Sequence, residues 1–183
     1  MEKSNLPRVT EILRAEGLID FSKVPQDIME RAQLFGTAVH STTELWDKGT
    51  LNLMKLDPLL IPYLEGWKKF IKDYGISFKP DEIERQLISI KWGFKGTPDR
   101  WPIVQGKRTL IDLKSSTAMY PSTSIQTAAY QILLEENGIK VQQRWGIQLN
   151  DKGIYKIIPY TKLSDRTVFL SALNLWKWKK ENL

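Results

Sequence analysis

Two acidic residues and a lysine interrupt the most strand-like part of the chain. Residues 108–116 read RTLIDLKSS, with Asp112 and Lys114 following a Leu-Ile pair. Alternate residues of a strand project from one face, so these two share a side. A strand emerging from a hydrophobic core cannot carry a carboxylate cheaply unless something pairs it. Upstream, GTPDRWPIV is joined to this segment by the short turn QGK, and a hairpin can bring Asp99 alongside Asp112. Two carboxylates that close do not both ionise without a cation between them. A hard divalent ion such as Mg²⁺ or Mn²⁺ meets that need, because it takes oxygen ligands, and the Leu113 carbonyl could add another. Lys114 would stand beside the ion, where it can orient a nucleophilic water or offset charge building on a phosphate. The plain alternative is a salt-bridged pair on an exposed strand, which D-x-K alone does not separate from a site. Ser115, Ser116 and Thr117 place hydroxyls where the strand ends, able to contact phosphate.

Helical patterns lie on both sides of these strands. Residues 11–17, EILRAEG, predict a short helix that Thr10 could cap and Gly17 close. Across residues 25–48, Ile28, Ala32, Phe35, Val39 and Trp46 recur at helical spacing. Residues 58–74 do the same with Leu60, Leu64, Trp67 and Ile71, and Gly75 is the stop. From Ile83 the period changes. IERQLISIKW, GFKGTPDRWPIV and RTLIDLKSS predict three successive strands. Residues 122–136 predict a helix with Ile125, Ala128, Ala129, Ile132 and Leu133 along one stripe, closed by Asn137-Gly138. VQQRWGIQLN and IYKIIPY read as two strands joined by DKG, and a last helix starts near residue 164. That order predicts an α/β fold: one domain, helical over residues 1–80, with a central mixed sheet and flanking helices over residues 81–183.

Composition removes several chemistries. There is no cysteine, so disulfides, thiolate zinc sites and iron–sulfur clusters are excluded. No stretch approaches the length of a membrane span, and the opening MEKSNLPRVT carries no apolar run, so neither a membrane anchor nor a secretory signal is expected. A cytoplasmic, intracellular home follows as an expectation. The net charge of +6 favours a polyanionic partner, although many basic proteins bind nothing anionic.

Four short motifs together resemble the PD-(D/E)XK nuclease superfamily, and most of all its RecB-like exonuclease branch, which includes phage exonucleases and the mitochondrial genome maintenance exonuclease. They are GTAVH (Gly36 and His40), GTPD (Gly96 and Asp99), DLK (Asp112 to Lys114) and QTAAY (Gln126 and Tyr130), in the branch's order over residues 36–130. The resemblance implies a restriction-endonuclease-like core and a metal-dependent DNA exonuclease using one or two Mg²⁺ or Mn²⁺ ions. It implies Asp99, Asp112 and the Leu113 carbonyl as metal ligands, Lys114 as the catalytic lysine, and His40 reaching a metal from its helix. Glu84 on the first strand would line the site, and Gln126 and Tyr130 would flank it. The iron–sulfur cluster of many relatives is ruled out here by the absence of cysteine. The resemblance also implies DNA with ends as the partner, and a stand-alone enzyme of phage or mobile-element type. A structure-specific or restriction-type endonuclease of the same superfamily, and a non-catalytic DNA-binding module, remain alternatives.

Each of these residues also has a local reading. His40 could pair with Glu44 one turn later, and Glu84 with Arg85 or Lys91. Gln126 and Tyr130 are four apart on one helical face and could simply cover the sheet. Gly36 could serve helix packing, and Arg100 could brace structure. Trp92, Trp101, Trp145, Trp176 and Trp178 could stack on bases or fill a core, and the lysines of LWKWKKENL could touch DNA or complement the helix end.

Overall fold

Strand β4 (Lys107–Lys114) is the organising element of the computed structural model, which describes residues 6–116 and 120–183. Its residues 109–113 are buried on both faces, the pattern of a strand with a layer on each side. β4 pairs in parallel with β5 (Gln143–Leu149), and β5 pairs antiparallel with β6 (Tyr155–Pro159). On its other edge β4 takes the two-residue strand β3 (Ile103–Val104), giving a mixed sheet of order β3-β4-β5-β6. The turn between β3 and β4 has Gln105 at φ 48° and Gly106 at φ 77°, the left-handed pair of a tight hairpin. The parallel β4–β5 pair needs a crossover, and α4 (Ser122–Glu136) lies within it. A separate two-stranded sheet holds β1 (Leu87–Ser89) against β2 (Phe94–Gly96).

The parity of β4 sorts the helices into two layers. Leu110 joins Ile12 and Leu13 of α1 (Val9–Ala15), Ile132 and Leu133 of α4, and Phe169 and Leu173 of α5 (Ser164–Asn182). Ile111 and Leu113 join Val39 of α2 (Gln26–Asp47), Trp67 and Phe70 of α3 (Ile61–Tyr74), and Ile147 of β5. The predicted mixed sheet flanked by helices is therefore observed. Among the described residues no helix is long and apolar enough to cross a membrane.

Three local differences from the sequence reading shape the surroundings of β4. α1 starts at Val9, with the Arg8 N–H donating to the Glu11 carboxylate at 3.2 Å, so Thr10 is inside the helix rather than capping it. The predicted strand IERQLISIKW shrinks to three residues, because residues 80–82 form a 3₁₀ turn and Glu84 turns left-handed at φ 46°. The predicted strand GFKGTPDRWPIV splits into β2 and β3. Pro98 and Pro102 cannot donate to a ladder, and the six residues between the strands run irregularly apart from single bridges at Arg100.

Candidate active site

The short β3 leaves the second half of the β4 edge without a strand. β3 pairs only with Lys107 and Arg108. Beyond it, Arg100 exchanges backbone hydrogen bonds with Ile111, at 3.3 and 2.8 Å. Where a strand would continue, side chains take over. The Leu113 N–H donates to Asp99 Oδ2 at 2.7 Å, and the Leu113 carbonyl accepts from His40 Nε2 at 3.0 Å. Buried backbone groups must find partners, and here that requirement draws Asp99 and His40 to one spot. Because a carbonyl only accepts, Nε2 carries a proton. Asp99 thus reaches β4 from the irregular segment between β2 and β3, not from a strand of the predicted hairpin.

Nδ1 of His40 faces two carboxylates. Glu84 Oε1 lies 3.5 Å away and Asp99 Oδ2 3.7 Å away. Glu44, the partner available by local spacing, is instead ion-paired with Lys48 at 2.5 Å. One donor atom each from His40, Glu84 and Asp99 lies within 4.8 Å of the others. Glu84 enters this group from its left-handed backbone, an uncommon conformation for a residue with a Cβ. Its N–H donates to the Asp99 carbonyl at 3.0 Å, and its carboxylate accepts from Arg100 at 3.2 Å rather than from Arg85 or Lys91.

Arg100 is the brace of the site. Its side chain is 2% exposed. Nε donates to Asp47 Oδ2 at 2.7 Å, and Nη1 donates to the Asp99 carbonyl at 2.7 Å. Asp47 Oδ1 accepts from the Trp67 indole N–H at 2.9 Å. A continuous polar chain therefore runs from α3 through the end of α2 to Glu84 and Asp99. Asp47 was not identified from the sequence, since nothing in its local pattern separates it from any acidic residue near a helix end.

Asp112 and Lys114 lie on the face of β4 that looks toward α4. Lys114 Nζ is 2.7 Å from Asp112 Oδ2. Asp112 is fully buried, and its Oδ1 has no hydrogen-bond partner among the described residues. Burial pushes the Asp112 carboxyl up to about 6; Lys114 opposes the shift and Asp99 adds to it. Burial also raises Asp99, against the pull of His40. For Lys114, burial works to lower the ammonium's pKa, but Asp112 and Asp99 outweigh it and hold the value above that of an ordinary lysine. For His40, burial is likewise outweighed, by Asp99 and Glu84, and the imidazole's pKa is raised.

These features fit a hard divalent cation. Two carboxylates and one imidazole converge beside a third carboxylate, Asp112, burial disfavours the charges of Asp99 and Asp112, and a buried oxygen of Asp112 is orphaned. An oxygen-rich set with a single nitrogen suits Mg²⁺ or Mn²⁺, and the nitrogen leans toward Mn²⁺. The Leu113 carbonyl, with one lone pair engaged by His40, has a second to offer. The grouping differs from the expected Asp99–Asp112 pair: Asp99 stands with His40 and Glu84, while Asp112 is held by Lys114.

From α4, Gln126 Nε2 donates to the Tyr130 hydroxyl at 3.0 Å. Tyr130 is buried, and burial raises its hydroxyl pKa, with Asp112 and Asp99 adding to it. Its ring explains Gly96: a Cβ there would lie 2.7 Å from Tyr130 Cε1. Gly36 is different, since a Cβ would meet Ser115 Oγ at an ordinary 3.7 Å.

A cleft of about 680 Å³ opens over this group, lined by His40, Glu84, Asp99, Lys114, Ser115, Ser116 and Gln126. Thr117 lies outside the described residues. None of the tryptophans lines the cleft. Two lysines of the C-terminal LWKWKKENL are tied down: Lys177 donates to the Trp92 carbonyl at 2.7 Å and Lys179 pairs with Glu16 at 2.8 Å. A second hollow of about 670 Å³, at the other end of β4, contains none of the site residues, and its Arg144 is paired with Asp165 at 3.0 Å.

No family model and no curated protein matches this chain. Among solved structures, it is similar to one named "Putative exonuclease" from Eubacterium rectale, with 13% identity and a TM-score of 0.55, over 79% of this chain and 65% of that one. The chain thus spans somewhat less than two thirds of that protein, and the likeness is one of fold. A second, SSO0001, gives 15% identity and a TM-score of 0.39 over 75% of this chain and 68% of its own.

Proposed function

We propose that the chain is a metal-dependent deoxyribonuclease of the PD-(D/E)XK type, in its RecB-like branch, hydrolysing phosphodiester bonds as an exonuclease. The observation that carries this reading is the meeting of His40, Glu84, Asp99, Asp112 and Lys114 at the C-terminal end of β4, beneath one open cleft. Asp99, Asp112, His40 and the Leu113 carbonyl would hold Mg²⁺ or Mn²⁺, with Glu84 in reach. When bound, the ion would lower the pKa of a water toward neutrality and polarise the scissile phosphate. Lys114, held cationic by Asp112 and Asp99, acts by charge and not as a base: it orients the attacking water or steadies a phosphate oxygen. In the reaction the water oxygen bonds to phosphorus as the bond to the leaving oxygen breaks; the water loses a proton and the leaving oxygen gains one. Ser115 and Ser116 line the cleft within reach of a neighbouring phosphate, and Gln126 lines it from α4, braced from behind by the Tyr130 hydroxyl to which it donates. The excess positive charge supplies sequence-independent attraction to DNA. Residues 1–80 and 81–183 act as one catalytic unit in this reading, because His40 comes from the first part and its partners from the second.

The deciding experiment is digestion of end-labelled linear single and double strands beside a closed circle, with Mg²⁺, with Mn²⁺ and with chelator. Release of nucleotides from linear DNA only, and only with metal, is the expected result. Cutting of the circle would replace the exonuclease with an endonuclease. DNA binding unchanged by chelator, with no nucleotide release under any condition, would leave a binding module.

A further inference from the structure

One wall of the cleft takes no part in metal binding or hydrolysis. It is formed by Ile19, Phe21 and Tyr120, with Arg14 on the same lining. Phe21 and Tyr120 meet edge to face with ring centroids 5.7 Å apart. Tyr120 nevertheless keeps 47% of its surface exposed, whereas Trp67, Phe70, Phe94 and Phe169 are fully buried. Phe21 thus props an exposed ring beside a catalytic cluster, and the ring's open surface is not covered by any core. Arg14 is exposed and forms no ion pair among the described residues.

Flat aromatic surface next to a free guanidinium is the recognition chemistry of an unpaired nucleotide. Every base offers a π-face to stack on, and every nucleotide brings a phosphate. Size points the same way. The cleft, at about 680 Å³, is within the range of roughly 300–1,000 Å³ that encloses small molecules, so one or two nucleotides fit beside the rings. We propose, resting on the nuclease reading, that Phe21 and Tyr120 form a stacking site for an unpaired nucleobase, with Arg14 holding an adjacent phosphate, so that the substrate is a single-stranded or frayed DNA end.

The test is equilibrium binding in chelator, where nothing is cleaved, with a short single-stranded oligonucleotide and a blunt duplex of the same sequence. Each carries 2-aminopurine at one end, whose fluorescence falls on stacking. Wild-type protein should bind the single strand more tightly and quench the probe. Tyr120→Ala should weaken single-strand binding roughly 5- to 100-fold, the range of one lost stacking contact, and abolish the quench. Tyr120→Phe should restore both, and Arg14→Gln should weaken binding while the quench persists. Tyr120 is exposed, so these variants should melt like wild type; should Phe21→Ala fail to fold, the Tyr120 and Arg14 series still decides. Single-strand binding unaltered in Tyr120→Ala, or a duplex bound as tightly as the single strand, overturns the proposal. The two readings fail separately. Intact stacking with no cleavage in Mg²⁺ or Mn²⁺ removes the nuclease and keeps the base site; cleavage with unaltered binding removes the base site and keeps the nuclease.

Discussion

Asp47→Ala should be among the most damaging single substitutions in this chain, although Asp47 does not line the cleft. The Arg100 guanidinium it serves is 2% exposed. Alanine removes the 2.7 Å partner of Nε. Nη2 already has no partner among the described residues, so the cation would rest on Glu84 at 3.2 Å and the Asp99 carbonyl alone. Breaking one side of a buried ion pair costs about 3–5 kcal/mol. The orphaned Trp67 N–H adds about 1 kcal/mol, as a donor that loses its acceptor. Domain stability is typically about 5–15 kcal/mol, so the variant should be marginally folded. Asp47→Asn should cost less, about 1.5–3 kcal/mol, because the carboxamide oxygen still accepts one of the two hydrogen bonds. The ion pair is not itself a large stabiliser. Burial raises the Asp47 carboxyl despite Arg100, so its own contribution is fully present below the ordinary 3.8 and is lost as pH rises through the raised value. Hence Arg100→Met on the Asp47→Ala background should recover much of the loss. The assay is urea unfolding at neutral pH over the four-member cycle, where a coupling of roughly 1–3 kcal/mol is expected. An Asp47→Ala protein within about 1 kcal/mol of wild type, or a purely additive cycle, would refute the brace.

Three further outcomes are expected at the site. His40 is the sole histidine, so its proton NMR titration in metal-free protein is unambiguous; the midpoint should lie above 6.5, and the stability it contributes should be full below 6.5 and fade as pH rises through the raised value. A midpoint below 6.5 would show that burial outweighs Asp99 and Glu84. Gly96→Ala should lose about 1–3 kcal/mol in urea unfolding from the 2.7 Å approach to Tyr130, and less when Tyr130 is also changed to leucine; no loss would mean the ring has room to move. Lys114→Ala should keep DNA affinity but lose roughly a hundred- to thousand-fold in single-turnover cleavage at any metal concentration, while Asp112→Asn should be partly rescued by raising Mn²⁺. A Lys114→Ala enzyme cutting at the wild-type rate would reduce D-L-K to a structural ion pair.

Much of the architecture is legible because it is local. Periodicity places α2, α3, α4 and α5 within a few residues, and the alternation in RTLIDLKSS makes β4 a strand with Asp112 and Lys114 on one side, as observed at 2.7 Å. The residues offered for the site are a property of the chain alone, and seven of them, His40, Glu84, Asp99, Lys114, Ser115, Ser116 and Gln126, line one cleft. The pairings among them are not legible. Spacing offers Glu44 to His40 and Arg85 to Glu84, and the fold gives both a different partner. The reason lies in the backbone of Leu113. β3 stops after two residues, so the N–H and carbonyl of Leu113 face no strand, and a buried polar group cannot stay unpaired. Which side chains answer that demand depends on where α2 crosses the sheet and on how residues 97–102 return to it. Those positions are set by two apolar cores and by the Trp67–Asp47–Arg100 chain, none of which is contiguous in sequence. Local pattern thus sets the elements and supplies the chemistry at the end of β4. Which carboxylate meets which cation is a product of the folded chain, because hydrogen-bond and charge balance are settled between residues that no local pattern brings together.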